Sequence, residues 1–210
     1  ALTSDQLSKL SSDQVALMAT DDIAAISSAQ ISHLSTGAIG ALTTAQAKAL
    51  TTAAINALTS AQIAAIETAD LAAMSSTQLS NMGNTQVAQL TSLQVAALTT
   101  GQLKSLSSGQ VAALTSAQLN ALTSAQLPSL SSSQVRALTT DQLSKLTTTQ
   151  IAGLSTAQVA ALSTGQVAAL TSVQLNAMAS DDLKALTTTQ VRALTSDQLS
   201  KLSSDQVALM

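Results

Sequence analysis

The side chains able to do chemistry are few and stand apart. His33 is the only histidine, there is no cysteine, and 8 Lys and Arg face 11 Asp and Glu. Hydroxyls are plentiful, but a serine nucleophile needs a base within hydrogen-bond reach and a third group to orient that base. No second unusual residue stands beside His33, and its place in the repeat described below is filled elsewhere mainly by Ala, Lys, Ser or Asn, as suits a solvated side chain. The doubled acids Asp21-Asp22 and Asp181-Asp182 suggest a cation site. Hard cations want several convergent oxygens, and acids at a helix start are already explained by capping and the helix dipole. No catalytic, cofactor-binding or metal-binding residue is assigned, no cofactor is expected, and the expected role is structural rather than enzymatic.

The reason is repetition. From Leu2 to Met210, every eighth residue is Leu, Ile or Met, 27 positions without an insertion or deletion. A second column, Leu7 to Val207, is Leu, Val or Ile at 25 of 26 positions, with Ala47 the exception. The unit reads Leu-Thr/Ser-Thr/Ser-x-Gln-Val/Leu/Ile-x-Ala. One small element stacked many times is what a strict short period means, and residues 1–210 form a single uninterrupted array of about 26 octads.

Each octad carries its own helix-start signal. Ser11 followed three residues later by Gln14 is a capping box, and Leu10 and Val15 stand where a hydrophobic staple would pair them. The cap column is Ser or Thr at 22 of 26 positions and the Gln column is Gln at 21 of 26. Acids fall in the first turn (Asp5, Asp13, Asp21, Asp141, Asp181, Asp197, Asp205) and bases later (Lys9, Lys48, Lys104, Arg136, Lys145, Lys184, Arg192, Lys201), the polarity a helix dipole prefers. Asp5–Lys9, Asp141–Lys145 and Asp197–Lys201 are also spaced to pair across one turn. Each octad therefore begins a helix that the next cap ends.

Two other architectures compete. In one continuous α-helix the apolar residues would drift about 80° per octad, so no stripe forms. A β-solenoid can build Thr and Val ladders, but the apolar steps of 5 and 3 are both odd and would put the two columns on alternate faces. Ala, Leu and Gln also favour helix. The expected fold is all-α, a solenoid of very short capped helices, one per octad, with a β-solenoid as the alternative. A lone octad cannot fold, so stacking on neighbours must supply its stability; small residues after the Val column suit close approach. No alternation of every second or every third octad is evident, so the octads per turn are not given by the pattern.

Composition narrows the classes further. There is no Phe, Trp or Tyr, and only 9% of residues are charged, which favours a thin aliphatic core. A net charge of -3 without a basic patch argues against nucleic acid and anionic membrane surfaces. No apolar run approaches the roughly 18 residues of a membrane span. No signal peptide is visible and Ala1 falls in mid-pattern, so the processed or targeting ends are expected to lie outside these residues.

Several departures carry expectations. Pro128 removes a backbone donor and should either leave a helix only one turn long or kink the array locally, the first being preferred. Gly83-Asn84 replaces a cap pair and Glu67 a cap hydroxyl. Ala38 and Ala54 lose the Gln, so the stretch from His33 to Ala57 should be the least well specified. Met18, Met74, Met82, Met178 and Met210 all occupy the Leu column as core fillers. Gly109–Ser124 returns almost unchanged at Gly165–Ser180, seven octads further on. Ala1–Met18 is identical to Ala193–Met210, an offset of 193 − 1 = 192 residues, or 24 octads. This implies a 192-residue super-repeat in a longer parent chain, continuing after Met210 as Ala-Thr-Asp-Asp-Ile-Ala-Ala-Ile. The apolar columns left open at Leu2 and at Val207–Met210 suggest self-association end to end into fibres.

LTTAQAKALTTAAINAL at Leu42–Leu58 and its neighbours resemble the LTxxQ(V/I/L)xAL octapeptide runs of large repetitive bacterial proteins, among them secreted, adhesion-like and flagella-associated ones. The resemblance covers the whole chain and implies a bacterial origin and a location outside the cytoplasm or on the cell surface. LTSAQLNAL at Leu114–Leu122 is also similar to the first helix of a TAL-effector repeat, but that family's second helix and base-reading loop have no counterpart here, and an acidic chain does not offset phosphate charge. The expected function is an extended structural solenoid acting as filament subunit, stalk or spacer. The alternative is a Ser/Thr-faced module that binds glycan, ice or another regular surface.

Overall fold

The computed structural model describes residues 2–210. Among them are twenty-five α-helices of four to six residues and no strand. Nearly every Ser or Thr cap sits in extended backbone and its hydroxyl accepts the N–H three residues on, Ser27 being an exception whose hydroxyl donates to Gln30 Oε1 instead; Thr91 Oγ1 takes that of Gln94 at 3.1 Å, ahead of the helix Ser92–Ala97. Helices this short cannot stand alone in water. They persist because one side of nearly every octad is buried, the last, Ser203–Met210, being the exception.

The expected columns face inward. The Val column is buried at every position from Leu7 to Leu183 and the Leu column from Ile26 to Leu194, Met74, Met82 and Met178 included. Cap hydroxyls lie at the corners, largely exposed. Replacing one, Thr115→Ala, should cost about 0.5–2 kcal/mol, because Thr115 Oγ1 caps Gln118 N–H at 3.2 Å. Hydrogen exchange of the helix Ser116–Asn120 would report the loss, and unchanged protection there would mean the hydroxyl contributes nothing.

The chain divides into two compact units, Ala1–Leu106 and Ser107–Met210. Within each, a helix packs on the helix three octads later. In the first, Thr20–Ala24 packs on Thr44–Ala49, that on Thr68–Ala73, and that on Ser92–Ala97. In the second, Ser108–Ala113 packs on Ser132–Ala137, that on Thr156–Ala160, and that on Ser180–Lys184. Side chains after the Val column meet the next turn's backbone closely: a Cβ on Gly40 would come within 3.1 Å of the Ala65 carbonyl oxygen. This is why small residues crowd there.

The irregular octads fold differently from one another. At Pro128 the helix is replaced by a turn and a 3₁₀ segment, Leu127–Ser129, rather than a one-turn α-helix, since proline has no N–H to continue the α pattern. The stretch from His33 to Ala57 keeps regular helices, contrary to expectation. Ser35 and Thr51 still accept the N–H groups of Ala38 and Ala54 at 3.1 Å each, and both alanines are fully buried. The cap, not the glutamine, starts these helices.

Candidate functional site

The feature sequence reasoning missed is the fate of the glutamine column. A capping-box glutamine is expected to lie along the surface of the first turn, yet from Gln46 onward nearly all of these side chains are buried. Gln94 is 1% exposed. Its Oε1 accepts the Thr91 N–H at 2.7 Å, completing the capping box. Its Nε2 turns the other way and donates to the carbonyl oxygens of Ile63 and Ile66, each at 2.8 Å. Those carbonyls belong to the C-terminal end of a helix one turn of the coil below, 31 and 28 positions earlier in the chain. Short helices leave their last carbonyls without partners, and the amide supplies one.

The arrangement recurs in both units. Gln62 donates to Ile31 and Leu34 at 2.9 and 2.8 Å, and Gln78 to Ala47 and Leu50 at 3.1 and 2.8 Å. Gln166 donates to Val135 and Leu138 at 3.1 and 2.8 Å, and Gln190 to Val159 and Leu162 at 3.0 and 2.8 Å. Each of these glutamines thus completes the cap of its own helix with one end and finishes an earlier helix with the other. The only signal for this in the sequence was the recurrence of the amide where Glu would have served the cap equally well. Glutamate can accept from a cap N–H but cannot donate to a carbonyl.

Helices pack three octads apart, while the staples reach back 28 and 31 positions, so the turn falls between three and four octads. That non-integer count explains why no alternation of every third octad was visible: successive turns do not stack like on like, so no octad has a private neighbour to match.

The candidate residues of the sequence fall outside any common centre. His33 is exposed at a turn. Asp21, Asp22 and Asp181 are exposed, whereas Asp182 is buried in the glutamine column, a position its capping explanation did not foresee. No group of three or more His, Cys, Asp or Glu capable of holding a metal ion occurs among the described residues. Lys145–Asp141 and Lys201–Asp197 close at 2.9 Å as their spacing implied, Lys184–Asp181 at 3.5 Å, and Asp5–Lys9 does not close. The Lys201 ammonium, with the Ser172 hydroxyl, holds the Asp197 carboxyl below its ordinary value of 3.8. That contribution is present above pH 3.8 and is lost as pH falls through the lowered value.

The same unit, repeated with its cap, its amide and its two apolar columns, is what family comparison recognises. The model of the ALTTAQ repeat matches residues 15–52, 63–100, 96–124, 117–148, 143–172 and 175–210, most of the chain. The chain belongs to the ALTTAQ repeat family. No curated protein matches it. Among the described residues, no helix of this ALTTAQ array is long and apolar enough to cross a membrane.

Proposed function

We propose that this ALTTAQ array is structural material: a spacer, stalk or filament subunit at or outside a bacterial cell surface, and not an enzyme. The observation that carries the reading is the buried glutamine staple. Within each unit it ties octad after octad to an earlier one by the same bonds, so the polar core is spent on holding turns together. Apart from the buried Asp70 and Asp182, titratable side chains lie over the outside, singly or in Asp–Lys pairs, which suits a solvated surface rather than a reaction centre.

Stacking also offers a route to assembly. Leu2, Leu199 and Val207 are 40%, 41% and 49% exposed, although their columns are buried elsewhere, and Gln6 and Gln14 are exposed. Octads of a second copy, or further octads of the same chain, presenting carbonyls below and amides above, would cover such side chains as the described turns do. Electron microscopy and light scattering of the 210-residue chain over a concentration series test this. Fibres, or rods lengthening with concentration, are expected; a monodisperse monomer throughout would refute self-association and leave the spacer reading.

The Ser/Thr-faced binding module retains one supporting observation, the exposed hydroxyls at the first helical position, such as Thr100, Ser108 and Thr140. The cap hydroxyls are already engaged as acceptors. Thermal hysteresis, or retention on insoluble polysaccharide, would favour that reading over the spacer.

A further inference from the structure

The glutamine column holds an acid at three positions, Asp22, Asp70 and Asp182, and each follows a cap without a hydroxyl: Ala19, Glu67 and Ala179. Asp182 is 5% exposed. The neighbouring amides of the column donate to the carbonyl oxygen 28 positions earlier, and from 182 that is Leu154 (182 − 28), a residue 4% exposed. No donor reaches that oxygen among the described residues. An ionised carboxylate only accepts, so it leaves the oxygen orphaned and sets like partial charges against each other; a protonated carboxyl carries one donor.

We propose that Asp182 is a proton-dependent staple: protonated, it donates to the Leu154 carbonyl oxygen and ties the helix Ser180–Lys184 to the turn below, and on ionisation that tie is released. The side chain is one methylene shorter than glutamine, and the proposed bond closes that gap directly or through a single water. Glutamine in this setting needs no cap hydroxyl. Gln86 follows Gly83, and its Nε2 still reaches the carbonyls of Ile55 and Leu58 at 2.9 and 3.3 Å. Asp70 differs from Asp182 in having a neighbouring donor, since Thr44 Oγ1 donates to its Oδ1 at 2.8 Å.

The surroundings favour the neutral form. Burial pushes the Asp182 carboxyl above its ordinary value of 3.8, opposed by the Ala179 N–H that it accepts and assisted by the Asp181 charge. Other charged residues on the surrounding elements are Lys184 on its own helix, which pairs with Asp181, Arg192 on Thr188–Arg192 and Asp205 on Ser204–Val207. The helices Thr148–Ala152, Thr156–Ala160 and Ser172–Asn176 carry none. A raised folded value means that the contribution is complete below pH 3.8 and is lost as pH rises through the folded value, the reverse of Asp197.

The test combines a carboxyl ¹³C titration of Asp182 with amide protection of the helix Ser180–Lys184 from pH 7 to pH 4, in the whole chain and in Asp182→Gln. Expected is a titration midpoint above 3.8, protection rising severalfold on acidification in the native chain, and high, pH-independent protection in Asp182→Gln. A midpoint at or below 3.8, or a rise retained in Asp182→Gln, would overturn it. So would stabilisation at pH 7 by added Ca²⁺ or K⁺ with no change on acidification, which would point to a bound cation instead. Asp197→Asn, which removes the opposing acid, should leave the rise intact, and its disappearance there would also overturn the idea.

Discussion

Replacing Gln94 by alanine is expected to destabilise the Ala1–Leu106 unit by about 2–4 kcal/mol, more than loss of any single cap, since each unsatisfied buried group costs about 1–3 kcal/mol without strict additivity. The Thr91 N–H and the Ile66 carbonyl oxygen lose their partner at once, and the Ile63 carbonyl oxygen keeps only the Ile66 N–H at 3.2 Å. Gln94→Glu should be worse at neutral pH, because it keeps the cap acceptor, loses the donor and buries a charge against two carbonyl oxygens. Acidification should then recover part of the loss. The reverse substitution supplies the control: Ala54→Gln adds an amide where none exists and should stabilise its neighbourhood by about 1 kcal/mol. Urea unfolding with hydrogen exchange across the unit would measure all three. Equal stability of the native chain and Gln94→Ala would show that the staples are incidental.

Leu143→Ala should cost the Ser107–Met210 unit about 2–5 kcal/mol. Leu143 is fully buried in the Val column, and truncation leaves a cavity lined by backbone that staples hold in place. The turn above cannot collapse into that space without breaking the bonds that Gln174 Nε2 makes to Leu143 and Leu146, at 3.0 and 2.7 Å. Since repeats contact mainly their neighbours, the loss should be local, broadening the transition instead of shifting all of it. A uniform shift with unchanged cooperativity would contradict this.

What the sequence made legible was everything set within one octad. The Ser/Thr caps, the two apolar columns, the core places of Met74, Met82 and Met178 (Met18 and Met210 are only half-buried) and the Asp–Lys pairs at 141–145 and 197–201 all follow from spacings shorter than the repeat. What it concealed were relations across turns. Gln94 bonds to residues 28 and 31 positions earlier, and a repeat of eight says nothing about which earlier octad lies beneath. Asp182 looked like a dipole residue beside Asp181 because the burial of its column depends on the turn, not on the helix. Alanine at 38 and 54 looked like a weakness for the same reason: the amide's second role belongs to an earlier helix, so its loss leaves the local helix unharmed.

The turn of between three and four octads has a consequence for how the protein bears damage. Each octad rests against one predecessor through its helix and is pinned by its amide to another, as bricks laid in running bond overlap the joints of the course below. A flaw in one unit, such as the 3₁₀ segment at Pro128 or the missing cap at Gly83, therefore has no seam along which to spread. The same lapping means that any whole number of octads can be added or removed and the courses still meet. Mistakes of replication that would ruin an ordinary domain become, in this chain, changes of length.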